Sequence, residues 1–233
     1  MRAVLLFCAS LLLICAAIGP SAATAADAVY SLDLTDFAGG SVPQWLRAKG
    51  FVPQRDANNA ARINLSFADK SLVLQTKRRA LGLLLNEVNV AGSSRVNIEW
   101  GVDVFPPGAS YERGVRSEAV MIYLFFGNKK LSSGSLLIPD SPYFIGLFLC
   151  DSDRIDHPFK GSYFHAGGRY VCIHHASVGT PVTSDYPIAE AFSRFFGPRE
   201  VPDISGIGIA IDTDSAKGNG VAQSFVRKIE FLK

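Results

Sequence analysis

Several common site chemistries are missing from this chain. No two of its four cysteines form a C-x-x-C pair, which excludes the usual redox-active dithiol. There is no G-x-S-x-G elbow, no glycine-rich phosphate loop before a helix and no EF-hand spacing of oxygen ligands. Neither sign of charge is in excess. The 23 Lys and Arg stand against 21 Asp and Glu, a net +2, which is no nucleic-acid footprint. The basic run Lys77-Arg78-Arg79 reads as a solvated strand end. After residue 25 no apolar run is long enough to cross a bilayer, so no membrane span is expected in the mature chain.

The amino terminus does carry a clear pattern. Arg2 supplies a positive start, and residues 4–18 are apolar over the length of a signal-peptide core. Gly19-Pro20 breaks that core, and Ala23-Thr24-Ala25 fits the small-x-small cleavage rule. The expectation is a signal peptide over 1–25, cleaved near Ala25, and a periplasmic or secreted mature chain. Residues 26–233 have the length of one domain. In an oxidising compartment the two remaining cysteines, Cys150 and Cys172, are either a disulfide or two buried thiols.

Hydrophobic periodicity then sets the fold class. Val96, Ile98, Trp100, Val102 and Val104 alternate with polar residues or glycine, so residues 96–104 form a strand with one buried face. Residues 118–126 are apolar on both faces, which predicts a central strand covered on both sides. Short runs of the same kind recur between Gly/Pro turns. Together they predict an all-β, jelly-roll-like antiparallel β-sandwich. One short packed helix is expected at about residues 185–197, with Asp185 as cap, Pro187 in the first turn and Gly197-Pro198 as the stop.

Near the end, Ile207, Ile209 and Ile211 point to one side of a strand. Gly206, Gly208 and Ala210 point to the other, where something must approach closely. Asp212-Thr213-Asp214 follows and reads as the mouth of the last hairpin. Asp212 and Asp214 are the candidate metal ligands for a Ca²⁺ ion, with Glu118, Asp151 or Asp153 able to complete an oxygen shell. The competing reading is that both aspartates cap the turn.

The order Trp100-Gly101-Val102-Asp103, the apolar strand from Ala119, Asp185-Tyr186, Phe196-Gly197 and the Ile-rich strand ending in Asp-Thr-Asp resembles the bacterial exported proteins grouped as domain of unknown function family 3047. The resemblance covers most of the mature chain. It implies one β-sandwich of periplasmic or secreted type, with no established activity. Two departures stand out: Thr180-Pro181 replaces an expected tryptophan after Gly179, and residues 115–118 are less acidic than usual.

For function, aromatic side chains near predicted loops or strand ends suit stacking on sugars, and Trp45, Tyr143, Tyr163 and Tyr170 are the candidate ligand-binding residues. No catalytic residue is assigned. The four histidines (His157, His165, His174, His175) match no zinc spacing. The favoured reading is a non-catalytic protein binding a glycan or another envelope component, with Ca²⁺ as a candidate structural ion. The alternatives are a hydrolase acting on envelope polysaccharide and an assembly protein.

Overall fold

Alternating side chains build two sheets that face each other across one core. The computed structural model describes residues 27–233, so the leader expected at 1–25 lies outside the described residues. In chain order the elements are β1 (Ala28–Asp33), α1 (Val42–Ala48), β2 (Phe51–Arg55), β3 (Ile63–Ala68), β4 (Ser71–Thr76), β5 (Leu81–Val90) and β6 (Arg95–Val104). There follow β7 (Glu118–Leu131), β8 (Ser141–Cys150), β9 (Gly168–His175), β10 (Val182–Tyr186), α2 (Ile188–Phe196), β11 (Ile204–Asp212) and β12 (Gln223–Leu232). The first sheet runs β10-β6-β12-β4-β3, with β1 also paired to β12. The second runs β2-β5-β11-β7-β8-β9. From β4 to β7 the chain alternates between the sheets, and it does so again from β10 to β12, as in a jelly roll.

The expected sandwich is present. Val96, Ile98, Trp100 and Val102 of β6 are fully buried, and Trp100 Nε1 donates to Ser184 Oγ on the neighbouring strand at 3.1 Å. Val104 stands out in solvent, because β6 has by then passed the end of the core. Ile207, Ile209 and Ile211 meet the first sheet from the other side.

Four details differ from the expectation. The Asp-Thr-Asp segment is not a hairpin. β11 and β12 lie in opposite sheets, because each buries one face into the same core from opposite sides. The helix is shorter, 188–196 with Pro187 before it. Asp185 is not its cap but a residue of β10, opposite Asn97 and paired to Arg95 at 2.8 Å. A second helix, α1, covers one end of the core through Val42 and Leu46. Not every strand pair is antiparallel: β8 and β9 run parallel, joined by residues 151–167. No helix among the described residues is long and apolar enough to cross a membrane.

Cys150 and Cys172 are joined by a disulfide that ties the end of β8 to β9. It closes a loop of sequence separation 22, and constraint of the unfolded chain makes such a bridge stabilise by about 3 kcal/mol.

Candidate functional site

The outer face of the second sheet, turned away from the first, combines glycines with aromatic rings. Its strands place small residues in the middle and rings around them. A Cβ added to Gly208 would lie 3.0 Å from Leu83 and 3.1 Å from Tyr123, and one added to Gly206 would lie 3.3 Å from Phe125. On the neighbouring strands, a Cβ on Gly168 would strike the Phe144 ring at 2.4 Å, and one on Gly146 would strike Met121 Sδ at 2.5 Å. The close approach expected beside Gly206, Gly208 and Ala210 is therefore the approach of this protein's own side chains, chiefly rings. Tyr123 and Phe125 lie stacked along β7, centroids 6.0 Å apart and planes 17° apart, and both remain partly exposed.

These rings floor a groove. It consists of two adjoining cavities of about 770 and 250 Å³ that share Phe125 and Ser141. The smaller is aromatic and apolar, with Tyr123, Phe144, Phe164 and Tyr170 among its walls and Arg55 as its one charged residue. The larger is polar at its edges, where Glu87, Asn89, Asn128, Lys130 and Asp140 stand. Arg55 and Phe164 both carry positive φ, 55° and 57°. Non-glycine residues held there cost on the order of 1–3 kcal/mol and cluster at ligand-binding positions.

At the far end of the same face lie two acids, Glu118 buried and Asp212 half-buried. Asp212 of β11 sits opposite Glu118 of β7, across a register shift between Ala210 and Asp212. The extra β7 residue in that bulge re-aims Glu118. By simple alternation it would share the inner face with Val120 and Ile122, but the bulge brings it beside Asp212. The Tyr111 hydroxyl donates to Glu118 Oε2 at 2.9 Å. The Tyr111 ring stacks on Phe148 with centroids 4.6 Å apart and lies 5.6 Å from the Tyr170 ring. Asp153 holds Tyr111 in place by accepting from Ser110 Oγ at 2.6 Å and from the Tyr111 N–H at 2.8 Å.

Burial dominates the electrostatics of this pair. Loss of solvation pushes the Glu118 carboxyl well above the ordinary range, the neighbouring Asp212 adds to the rise, and the Tyr111 hydrogen bond opposes it. Burial likewise pushes Asp212 up to about 7, against the hydrogen bond it receives from the Asp214 N–H. Both carboxyls therefore hold their protons to higher pH than solvated acids do.

The predicted site residues scatter over the molecule. Tyr170 lines the groove. Tyr143 is on the same sheet but faces α2, packing on Phe192 and Phe196, and its hydroxyl accepts from Arg199 at 2.7 Å. Trp45 lies on α1 against Phe37 and Phe67, its Nε1 donating to Asp36 at 3.1 Å. Tyr163 stands exposed in the loop before β9. Asp212 Oδ1 accepts the Asp214 N–H at 2.9 Å, as a turn cap does, and the Asp214 side chain is in solvent. Thr213 between them is buried and hydrogen-bonds the backbone of Ala80. Among the described residues, the one trio of potential metal ligands that gathers is Cys150, Cys172 and His175, and both of those sulfurs are spent in the disulfide. The residues missed by sequence reading are Tyr123, Phe125 and Arg55. Tyr123 and Phe125 alternate on 118–126, so the second covered face of that strand was the available signal.

Comparison with protein-family models and with curated proteins returns no match. Among solved structures, the chain is similar to a low-affinity xylan-binding module from Roseburia intestinalis (13% identity, TM-score 0.34, covering 80% of this chain and 92% of that one). It is also similar to the Emp46p carbohydrate recognition domain in its potassium-bound form (13%, 0.46, 89% and 98%). A third is a mutant of a family 29 carbohydrate-binding module (8%, 0.36, 87% and 91%). No residue of the groove is carried over from these proteins.

Proposed function

We propose that the outer face of the second sheet binds a glycan, and that it does so outside the cytoplasm. The groove carries this reading. An aromatic floor suits the apolar faces of pyranose rings, and amide, carboxylate and ammonium groups at the rim suit their hydroxyls. Two joined cavities of about 250 and 770 Å³ favour an extended chain over a single sugar. The disulfide supports an oxidising compartment, such as the bacterial envelope or the exterior. Calcium is not part of the proposal: one Asp212 oxygen accepts the turn N–H and Asp214 is exposed.

The test is a screen of envelope and plant-type polysaccharides by affinity electrophoresis, repeated with Ser141→Trp. Ser141 sits where the two cavities meet, so an indole there fills the junction. Retardation by at least one polysaccharide, lost in Ser141→Trp, supports the reading. Binding undiminished in that variant, or no binding at all, overturns it.

The Glu118–Asp212 pair favours one further reading, hydrolysis of the same polysaccharide, since a raised acid beside a carboxylate can donate and accept protons. The Tyr111 hydroxyl already occupies Glu118 Oε2, so binding without turnover is the primary proposal. Release of reducing ends by the wild type but not by Asp212→Asn would establish the hydrolase instead.

A further inference from the structure

We propose that the loop joining β7 to β8 docks the protein on an anionic phospholipid surface. This goes beyond the glycan reading and does not depend on it. At the tip of the loop, Leu136 and Leu137 are 106% and 93% exposed, the two most exposed large hydrophobic residues among those described. Elsewhere the exposed hydrophobics occur singly, which needs no explanation. Two adjacent leucines held wholly in water do.

The loop is built to hold them there. Ser133 is buried beneath the tip, and its Oγ donates to the Ile138 carbonyl at 2.6 Å. Its N–H donates to Asp140 Oδ1 at 3.1 Å, and its carbonyl accepts from the Phe164 N–H at 2.9 Å. The Leu137 N–H donates to Ser135 Oγ at 3.2 Å. An apolar cavity lies directly behind, walled by Ile138 and Pro139, yet the leucines turn away from it. A loop meant to close over the groove would bury them there.

The surroundings select the partner. Lys129 and Lys130 are exposed at the end of β7, at the base of the loop. Tyr163, 46% exposed, adjoins the Phe164 that anchors Ser133. Asp140 is the one acidic side chain within the loop, and its Oδ1 is engaged by Ser133. Paired leucines that enter the acyl boundary, a tyrosine at headgroup depth and lysines facing phosphate are the three components of interfacial attachment. None of the three would by itself hold a protein on a membrane. Docked this way, the groove mouth beside Ile138 opens next to the bilayer, where surface-anchored glycans begin.

The experiment is co-sedimentation of residues 27–233, the complete sandwich, with vesicles of phosphatidylglycerol and phosphatidylcholine in equal parts, and of phosphatidylcholine alone. The wild type should partition onto the anionic vesicles about tenfold or more above the neutral ones. Leu136→Ser/Leu137→Ser should lose about tenfold on anionic vesicles with an unchanged melting temperature, because both side chains are already in water. Lys129→Gln/Lys130→Gln should lose the preference for anionic vesicles and the dependence on salt. Absence of sedimentation with anionic vesicles, equal partition onto both, or full binding by the double serine variant would each overturn the proposal. So would a dimer in sedimentation velocity that the double serine variant abolishes, since the tip would then be covered by a second copy.

Discussion

The two faces of the second sheet share their backbone and nothing else. On the inner face, Ile207, Ile209, Ile122 and Leu124 present branched aliphatics to the first sheet and exclude water completely. One residue along, on the outer face, stand Gly206, Gly208, Ala210, Tyr123 and Phe125, with Glu118 and Asp212 at one end. The inner face needs only matching volume. The outer face needs glycines at set positions so that rings can lie against the sheet, and it keeps two acids where burial opposes their charge. Period-two structure thus lets one strand serve stability with its odd residues and a site with its even ones. The site must then tolerate features that the core would reject.

Substitutions that separate the two faces test this contrast. Ile209→Ala on the inner face should cost about 2–5 kcal/mol, read as a lower midpoint in urea denaturation.

Asp212→Asn on the outer face should have the opposite sign above neutrality. Its folded pKa is about 7 against an ordinary 3.8. Below about pH 4 the group is protonated in both states and costs nothing. As pH rises from there to 7, the unfolded chain ionises first and the fold is penalised, by about 4 kcal/mol once pH exceeds 7. Asparagine keeps the acceptor for the Asp214 N–H and removes the charge. The difference in melting temperature between Asp212→Asn and wild type should therefore be near zero at pH 4 and grow to about 10 °C in favour of the variant at pH 8. A difference that does not change with pH would mean the carboxylate is solvated.

Removing the disulfide at the outer-face edge, as Cys150→Ser/Cys172→Ser, should cost about 3 kcal/mol. The same loss is expected on reducing the wild type, with the midpoint compared with and without reductant. The smallest effect on stability, about 1–2 kcal/mol, is expected for Phe125→Ala, because that ring is already partly exposed. Its effect on glycan affinity should be about tenfold or more, from the loss of a stacking surface. Phe125→Ala without loss of affinity would break the division of labour between the faces.

The inner face was legible in the sequence, and of the outer face only the small-residue stripe 206–210 and the second covered side of 118–126 were, for a physical reason. Alternation of Val96, Ile98, Trp100 and Val102 is a local signal, and so is that of Ile207, Ile209 and Ile211. Meeting of Glu118 with Asp212 depends on pairing strands almost a hundred residues apart and on a bulge that reverses which face Glu118 joins. No spacing along the chain encodes either. Other misses were also contextual. β2 contains Pro53, tolerated because β2 is an edge strand of its sheet. β10 is short and polar, and it is held as a strand by pairing with β6. α1 has seven residues, too few to show a helical period. The Asp-Thr-Asp segment was singled out as a unit, but its three residues do three separate jobs: a half-buried acid, a backbone anchor on Ala80 and a solvent-facing turn.

The claim that the outer face is the binding surface is tested most directly by mapping amide chemical shifts while an oligosaccharide of the retarding polysaccharide is titrated into labelled protein. The account predicts saturable shifts concentrated at Tyr123, Phe125, Ser141, Tyr170 and Gly206, with the amides around Trp45 unmoved. Shifts centred on Trp45 and α1, with the groove silent, would contradict it.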